Sequence, residues 1–174
     1  MSVNESARRN VRQRADFRCE YCGVSETDSG GELTVDHFRP QSKNGGEEEN
    51  LIYCCFRCNA YKGDYWNDAP NQISLFNPRT DQRAEHFWLS ETGELLPLSE
   101  IGEFTIKLLR LNRLPLVAKR RRDFQKLEER QILEQTRKSV ESLLRLNQQQ
   151  RELLKEQQNL LEEQRRLLEF LFRG

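Results

Sequence analysis

The chain has 174 residues, of which 28 are basic and 28 are acidic, so its formal net charge at pH 7 is zero. This balance excludes a uniformly basic protein that coats nucleic acid, but it allows a local basic face. Apolar residues make up 36% of the chain and charged residues 32%, against about 45–50% (with Gly) and about 25% in an average domain. We therefore expect part of the chain to be exposed to water on most sides.

The first two thirds of the chain contain short predicted elements separated by turn residues. In chain order these are a helix over 5–16, strands over 33–38 and 50–54, a short helix that begins at Asn59, a hairpin over 86–98 and a helix over 101–114. Asn4 is the predicted N-cap of the first helix, and Gly45-Gly46 marks a loop between the first two strands. We expect Trp66 and Trp88 in the core.

Helix-breaking residues divide the chain into two parts. All five prolines lie at or before Pro115, and eight of the nine glycines lie at or before Gly102. Between Leu116 and Arg173 there is neither glycine nor proline, which favours continuous helix. We predict an α+β head over residues 1–122 and a long helix over residues 123–174.

The predicted tail helix carries a seven-residue repeat. Leucines recur at that interval in two rows, which are Leu146, Leu153, Leu160 and Leu167 in one and Leu154, Leu161 and Leu168 in the other. With the first row at the d positions, the a positions are Gln150, Gln157 and Gln164. The repeat predicts a coiled coil in which residues 123–172 form a homo-oligomer or pair with a matching helix of another protein. The alternative is a single amphipathic helix that folds back on the head.

Four of the five cysteines form two pairs with zinc-knuckle spacing. The pairs are Cys19-Glu-Tyr-Cys22 and Cys55-Phe-Arg-Cys58. Two such pairs complete a tetrahedral four-sulfur site with no open position, which predicts a structural Zn²⁺. Disulfides are disfavoured, because the start of the chain lacks a secretory signal and we expect a cytoplasmic protein. A redox role for one pair would leave the other unexplained, and Cys54 is expected to be a small buried residue.

Polar residues of a recognisable order lie between and after the cysteine pairs. They are Asp36-His37, Asn50, Asn59 and Lys62. This arrangement resembles the HNH endonucleases, the His-Me finger nucleases, in the subclass with two zinc-binding cysteine pairs. The resemblance covers residues 8–122 and includes short sequence segments outside the core motif, such as His86-Phe87-Trp88. It does not include the tail.

The resemblance implies a small ββα-metal fold and a role for each residue of the motif. His37 would be the general base, and Asp36 and Asn59 would bind a catalytic Mg²⁺ or Mn²⁺. Asn50 would steady the loop that carries His37. Many relatives have His in place of Asn59, which puts the metal preference in doubt more than the activity. The residue chemistry agrees, since His titrates near neutral pH and oxygen ligands suit hard cations.

Several basic residues are candidates for contact with DNA. They are Arg8, Arg12, Arg39, Lys62, Arg110, Arg113, Lys119, Arg120 and Arg121. Residues 105–122 contain seven positive charges and no acid, which is typical of a surface that contacts phosphates without reading sequence. The alternative is a solvated face, and for Lys62 a solvated position on a helix surface.

We interpret the chain as a metal-dependent HNH endonuclease that hydrolyses DNA, with a structural zinc and an oligomerising or partner-binding tail. The resemblance implies a bacterial setting such as phage defence or restriction. No transmembrane helix is expected, because no run of about 18 apolar residues is present. The rival hypothesis is a non-catalytic zinc module whose tail acts as a scaffold.

Overall fold

The structure is a computed structural model that describes residues 3–43, 48–67, 69 and 72–172. The predicted Gly45-Gly46 loop lies outside the described residues. Contacts divide the chain into two units, Met1–Phe124 and Gln125–Gly174. The first unit contains α-helices and two small antiparallel sheets, so the predicted α+β class is confirmed.

The elements are short until the last helix. In chain order they are α1 (Glu5–Arg14), α2 (Glu26–Ser29), β1 (Thr34–His37), 3₁₀ turns over Gln41–Lys43 and Glu48–Asn50, β2 (Leu51–Cys54), α3 (Phe56–Lys62), α4 (Arg83–His86), β3 (Phe87–Leu89), β4 (Leu95–Pro97), α5 (Glu100–Leu108) and α6 (Leu114–Leu171).

The first sheet and α3 form a ββα unit. Strands β1 and β2 pair antiparallel, with Thr34 opposite Cys54 and His37 opposite Leu51. All four residues of β2 are buried, since β2 packs against α1 as well as against β1. Helix α3 follows β2 after one residue and contacts β1. The end of β1 therefore lies beside α3.

Helix α1 begins as the sequence predicts. The Asn4 side chain accepts a hydrogen bond of 2.7 Å from the Ala7 amide, and Ala7 and Val11 bury one face of the helix. The helix ends at Arg14, because the chain turns through positive φ angles of 49° at Asp16 and 57° at Phe17. The bend leads directly into the first cysteine pair.

Two predicted helix boundaries are wrong. Helix α3 begins at Phe56, not at Asn59, because Cys55 is its N-cap. The helix predicted over 101–114 ends at Leu108, and the chain then turns through a φ of 49° at Arg110. Leu111 keeps the apolar spacing and is fully buried, but it belongs to the turn that precedes α6.

Of the two tryptophans expected in the core, only Trp66 packs against it. Trp66 is half-buried, with its ring edge-on to Phe38 at a centroid distance of 5.8 Å. The expectation for Trp88 is wrong, because this side chain is 60% exposed. Neighbouring strand residues point to opposite faces, and in β3 the buried neighbour is Phe87.

Helix α6 confirms the predicted long helix, with 58 residues from Leu114 to Leu171. Its first turns bury Leu116 and Arg120 in the first unit. From residue 125 to 172 every side chain is exposed, including the leucines of the seven-residue repeat. The coiled coil stays a prediction. Across the described part of the chain, no helix combines the length and apolarity that a bilayer span requires.

Candidate functional site

The four paired cysteines converge on one buried point. The Sγ atoms of Cys19, Cys22, Cys55 and Cys58 all lie within 4.8 Å of one another, and that of Cys22 lies 3.7 Å from that of Cys55. A tetrahedron with Zn–S bonds of about 2.3 Å has sulfur–sulfur edges of roughly 3.8 Å. None of the described cysteines forms a disulfide. The cluster therefore has the ligands, burial and spacing of a closed zinc site.

Each cysteine pair is held by a tight turn. In the first pair, Gly23 adopts a φ of 76° and donates its amide to the Cys19 carbonyl at 2.8 Å. In the second pair, the Cys55 sulfur accepts a hydrogen bond of 3.4 Å from the Cys58 amide at the start of α3. The first turn is joined to β2, because the Glu20 amide donates to the Tyr53 carbonyl at 2.9 Å, and β2 leads directly into the second turn.

The cysteine cluster has a guanidinium beside it. Arg113 Nη2 lies 3.9 Å from the Cys55 sulfur and 3.8 Å from the Cys58 sulfur. Although burial opposes the charge, the neighbouring cysteine sulfurs raise the pKa of Arg113. Four thiolates around Zn²⁺ carry a net charge of −2, which a nearby cation offsets. From the sequence, Arg113 is predicted only as a contact for DNA, so this role beside the cluster is a finding of the structure.

The fifth cysteine has a separate environment. Cys54 is fully buried, and burial raises the pKa of its thiol to about 12. Its Sγ lies 3.7 Å from the Thr34 hydroxyl rather than in the cluster. The predicted role as a small buried residue is confirmed.

Asp36 and His37, at the end of β1, line an open cleft of about 540 Å³. The remaining lining residues are Pro40, Gln41, Ser42, Lys43, Lys62, Gly63, Asp64 and Trp66. Burial lowers the pKa of His37, and the Lys62 charge adds to that effect while the Asp36 carboxylate opposes it. His37 is therefore suited to be neutral, and able to accept a proton, near pH 7.

Lys62 lies inside the site. Its side chain is 1% exposed, and its Nζ lies 2.8 Å from Asp36 Oδ2 and donates a hydrogen bond of 2.7 Å to the His37 carbonyl. The alternative of a solvated position is wrong. Lys62 ties α3 to the two consecutive residues of β1 that line the cleft.

The Asn50 side chain fixes the chain just beyond His37. Its Oδ1 accepts a hydrogen bond of 2.8 Å from the Arg39 amide, and its Nδ2 donates one of 2.7 Å to the Arg39 carbonyl. The Phe38 amide also donates to the Asn50 carbonyl at 2.8 Å. This pairing gives Asn50 the geometry needed to steady the loop after His37.

Asn59 is half-buried on α3, one turn before Lys62. Residues three apart lie on the same side of a helix, so Asn59 shares the face from which Lys62 reaches Asp36. Asn59 does not line the cleft itself. Asp36 Oδ2 is buried and, despite its ion pair, no described residue gives it a well-aligned hydrogen bond. A carboxylate oxygen in that state fits a hard divalent cation.

Comparisons with known proteins agree with this geometry. Residues 19–64 match the model of the HNH endonuclease family, a segment that contains both cysteine pairs and the Asp-His cleft. The matched segment coincides with the first cysteine pair, the ββα unit and most of the cleft, and the rest of the chain lies outside it. The chain is also 32% identical over 87 residues to a CRISPR-associated endonuclease Cas9 of Corynebacterium diphtheriae. That match covers 47% of this chain and 8% of the Cas9 protein.

The basic residues predicted to contact DNA do not all lie on one exposed surface. Arg12 is paired with Glu26 at 2.6 Å and with Glu32 at 2.9 Å. Arg120 is buried and donates to the carbonyls of Gly93 and Leu111. These two guanidiniums stabilise the fold through partners that are distant in the sequence and that no local pattern indicates.

The other predicted cations differ in their surroundings. Lys119 pairs with Asp123 at 2.6 Å and with Asp28 at 3.3 Å. Arg39 lies 5.8 Å from the ring centre of Trp66, which lines the cleft, and Arg110 lies 4.9 Å from that of Tyr61. Arg8 and Arg121 are exposed.

A second groove, of about 610 Å³, lies beside the start of α3. It is lined in part by Arg57, Arg113 and Arg122, and by Phe56, whose side chain is 76% exposed. Arg57 was not among the sequence candidates, because it lies inside the second cysteine pair and outside the acid-free stretch. Basic groups next to an exposed aromatic ring are suited to nucleic acid.

Proposed function

We propose that this chain is a metal-dependent endonuclease that hydrolyses DNA phosphodiester bonds in the cleft of Asp36, His37 and Lys62. The observation that carries the proposal is the convergence of these three residues within a segment that matches the HNH endonuclease family. The related Cas9 protein is named as an endonuclease, which supports the same reaction class.

His37 acts as the general base. It accepts a proton from water as the water oxygen bonds to phosphorus and the ester P–O bond breaks, and the leaving oxygen is then protonated from solvent. The paired hydrogen bonds of Asn50 and the Lys62 contact with the His37 carbonyl fix the backbone from His37 to Arg39. A fixed base is more effective, because less reorganisation is needed when the water reacts.

Asp36 and Asn59 are the residues that would hold Mg²⁺ or Mn²⁺. When bound, such an ion stabilises the negative charge that develops on the phosphate and the leaving oxygen. The buried Asp36 oxygen supports this assignment. The four-cysteine cluster, in contrast, takes a structural Zn²⁺ with no position open for substrate.

DNA would be held by charge rather than by base recognition. Arg39 lies close to the cleft, and Arg57 and Arg122 line the second groove. Contacts of this kind neutralise phosphates, so we expect binding to weaken steeply as salt is raised.

The tail supplies self-association in this proposal. Its two leucine rows are more than half exposed at every position, for example 58% at Leu153 and 59% at Leu160. Burying each leucine contributes about 1.5–3 kcal/mol, which favours contact with another helix. Leu153→Lys with Leu160→Lys should therefore separate the copies while the head stays folded. A role in phage defence or restriction stays a prediction.

The proposed reaction is tested by nicking of supercoiled plasmid with purified protein. We expect nicking with Mg²⁺ or Mn²⁺ and none after chelation. The Asp36→Ala variant should nick only at a higher metal concentration than the parent, because it lacks one of the proposed metal ligands. Zinc content and thermal melting confirm that each protein is folded. A folded, zinc-loaded parent that never nicks DNA with either metal would favour the rival, a non-catalytic zinc scaffold.

A further inference from the structure

The exposed tail of α6 has a polar row in the middle of its apolar face. A helix advances about 100° per residue, which places the row of Gln150, Gln157 and Gln164 between the two leucine rows. The glutamine amides would lie within any interface that this face forms. A second copy of the chain presents amides at the same intervals and can pair with them.

The two edges of this face carry opposite charges. Each edge is a further row of residues at seven-residue intervals within residues 125–172. The edge beside the Leu153 row contains Glu128, Glu156 and Glu163 and no basic residue. The edge beside the Leu154 row contains no acidic residue, and its basic residues are Arg130, Arg137, Arg151 and Arg165. Arg137 and Arg165 also pair with acids one turn along the helix at 3.1 and 3.2 Å, with their side chains 72% and 81% exposed.

This separation of charge selects a direction of association. In a parallel pair, the acidic edge of one helix faces the basic edge of the other on both sides. In an antiparallel pair, acidic faces acidic and basic faces basic, which is repulsive. From these edges we infer that two copies of this chain associate through residues 125–172 in parallel. The inference rests on the self-association included in the proposed function.

In a parallel pair, the first units of the two copies (Met1–Phe124) are attached at the same end of the paired helices. Two such units at one end raise their effective concentration on a single DNA duplex. Paired nicks, and so double-strand breaks, would then be favoured over separate nicks.

Charge reversal in the full-length protein tests the direction. Variant one is Glu156→Arg with Glu163→Arg, and variant two is Arg151→Glu with Arg165→Glu. In a parallel pair each variant alone has like charges on both sides, and we expect its self-association to weaken roughly tenfold or more at low salt. An equimolar mixture should associate like the parent. The control Glu152→Arg with Glu162→Arg makes the same change in net charge away from the apolar face and should have no effect.

Sedimentation equilibrium gives the association constants, and circular dichroism confirms that each tail is helical. If both variants self-associate like the parent, the parallel arrangement is wrong, because an antiparallel pair is left unchanged by either reversal. If the parent is a monomer at tens of micromolar, the proposed self-association itself is wrong. Neither result depends on whether the protein cuts DNA.

Discussion

Replacing Lys62 by Met tests whether the buried cation is part of the architecture of the cleft. The substitution keeps the length of the side chain but removes the ion pair with Asp36 at 2.8 Å and the hydrogen bond to the His37 carbonyl at 2.7 Å. Asp36, whose side chain is 20% exposed, would keep a charge with little compensation. Removing one partner of a fully buried ion pair lowers the free energy of unfolding by about 3–5 kcal/mol. Because Asp36 is partly exposed, we expect a decrease at the lower end of that range, about 3 kcal/mol.

The loss should be visible in thermal unfolding of the zinc-loaded protein. In a unit of this size, about 1 kcal/mol shifts Tm by roughly 4 °C, so we expect a decrease of about 12 °C. Lys107→Met is the matched control. It removes an i,i+4 ion pair with Glu103 at 2.6 Å in which the lysine side chain is 73% exposed, and such pairs contribute at most about 1 kcal/mol. Equal Tm values for the two variants would show that Lys62 is not the structural cation inferred from its burial.

Three further predictions concern the metal centre and the head. Cys55→Ser should lower zinc content and unfold the head, because the binding energy of a structural zinc is folding energy; a folded variant with a full complement of zinc by elemental analysis would contradict this. Arg113→Met should weaken zinc binding by about 10–100-fold in chelator competition. Arg110→Met, which also removes a guanidinium near the Tyr61 ring, should leave the zinc affinity unchanged. Equal zinc affinities of the two variants would refute the role of Arg113. The hydrogen bond from Arg12 lowers the pKa of Glu26, and the hydrogen bond from Tyr53 adds to this effect. The ionised Glu26 carboxylate therefore stabilises the folded state fully above pH 4.5, and this contribution is lost as the pH falls through the lowered pKa. The stability difference between parent and Glu26→Gln in urea should accordingly shrink from pH 6 to pH 3, and a constant difference would refute the assignment.

The metal centre could be predicted from the sequence because its determinants are local. A two-residue spacing lets both sulfurs of a pair point to one ion, and the turn needs only neighbouring amides, such as that of Cys58 on Cys55. The Asn4 cap depends likewise on one bond across three residues. The long helix could be predicted because there is neither glycine nor proline between Leu116 and Arg173.

The errors arise where a distant partner decides the outcome. Lys62 is polar in sequence, but it is buried because Asp36, 26 positions earlier, pairs with it. Arg120 is buried for the same kind of reason, since its acceptors are the carbonyls of Gly93 and Leu111. Periodicity also misplaced the end of α5, because Leu109 and Leu111 stay buried after the helix has ended.

The central claim is that His37 takes a proton from water during DNA hydrolysis. The most direct measurement is the rate of plasmid nicking by His37→Ala relative to the parent, at saturating DNA and Mg²⁺. Gln41→Ala, which truncates an exposed side chain of the same cleft, is the control. General base catalysis contributes about 10²–10⁴-fold, so we predict that His37→Ala nicks at least about 100-fold more slowly, with unchanged Tm, zinc content and DNA affinity. A His37→Ala protein that nicks as fast as the Gln41→Ala control would contradict the claim.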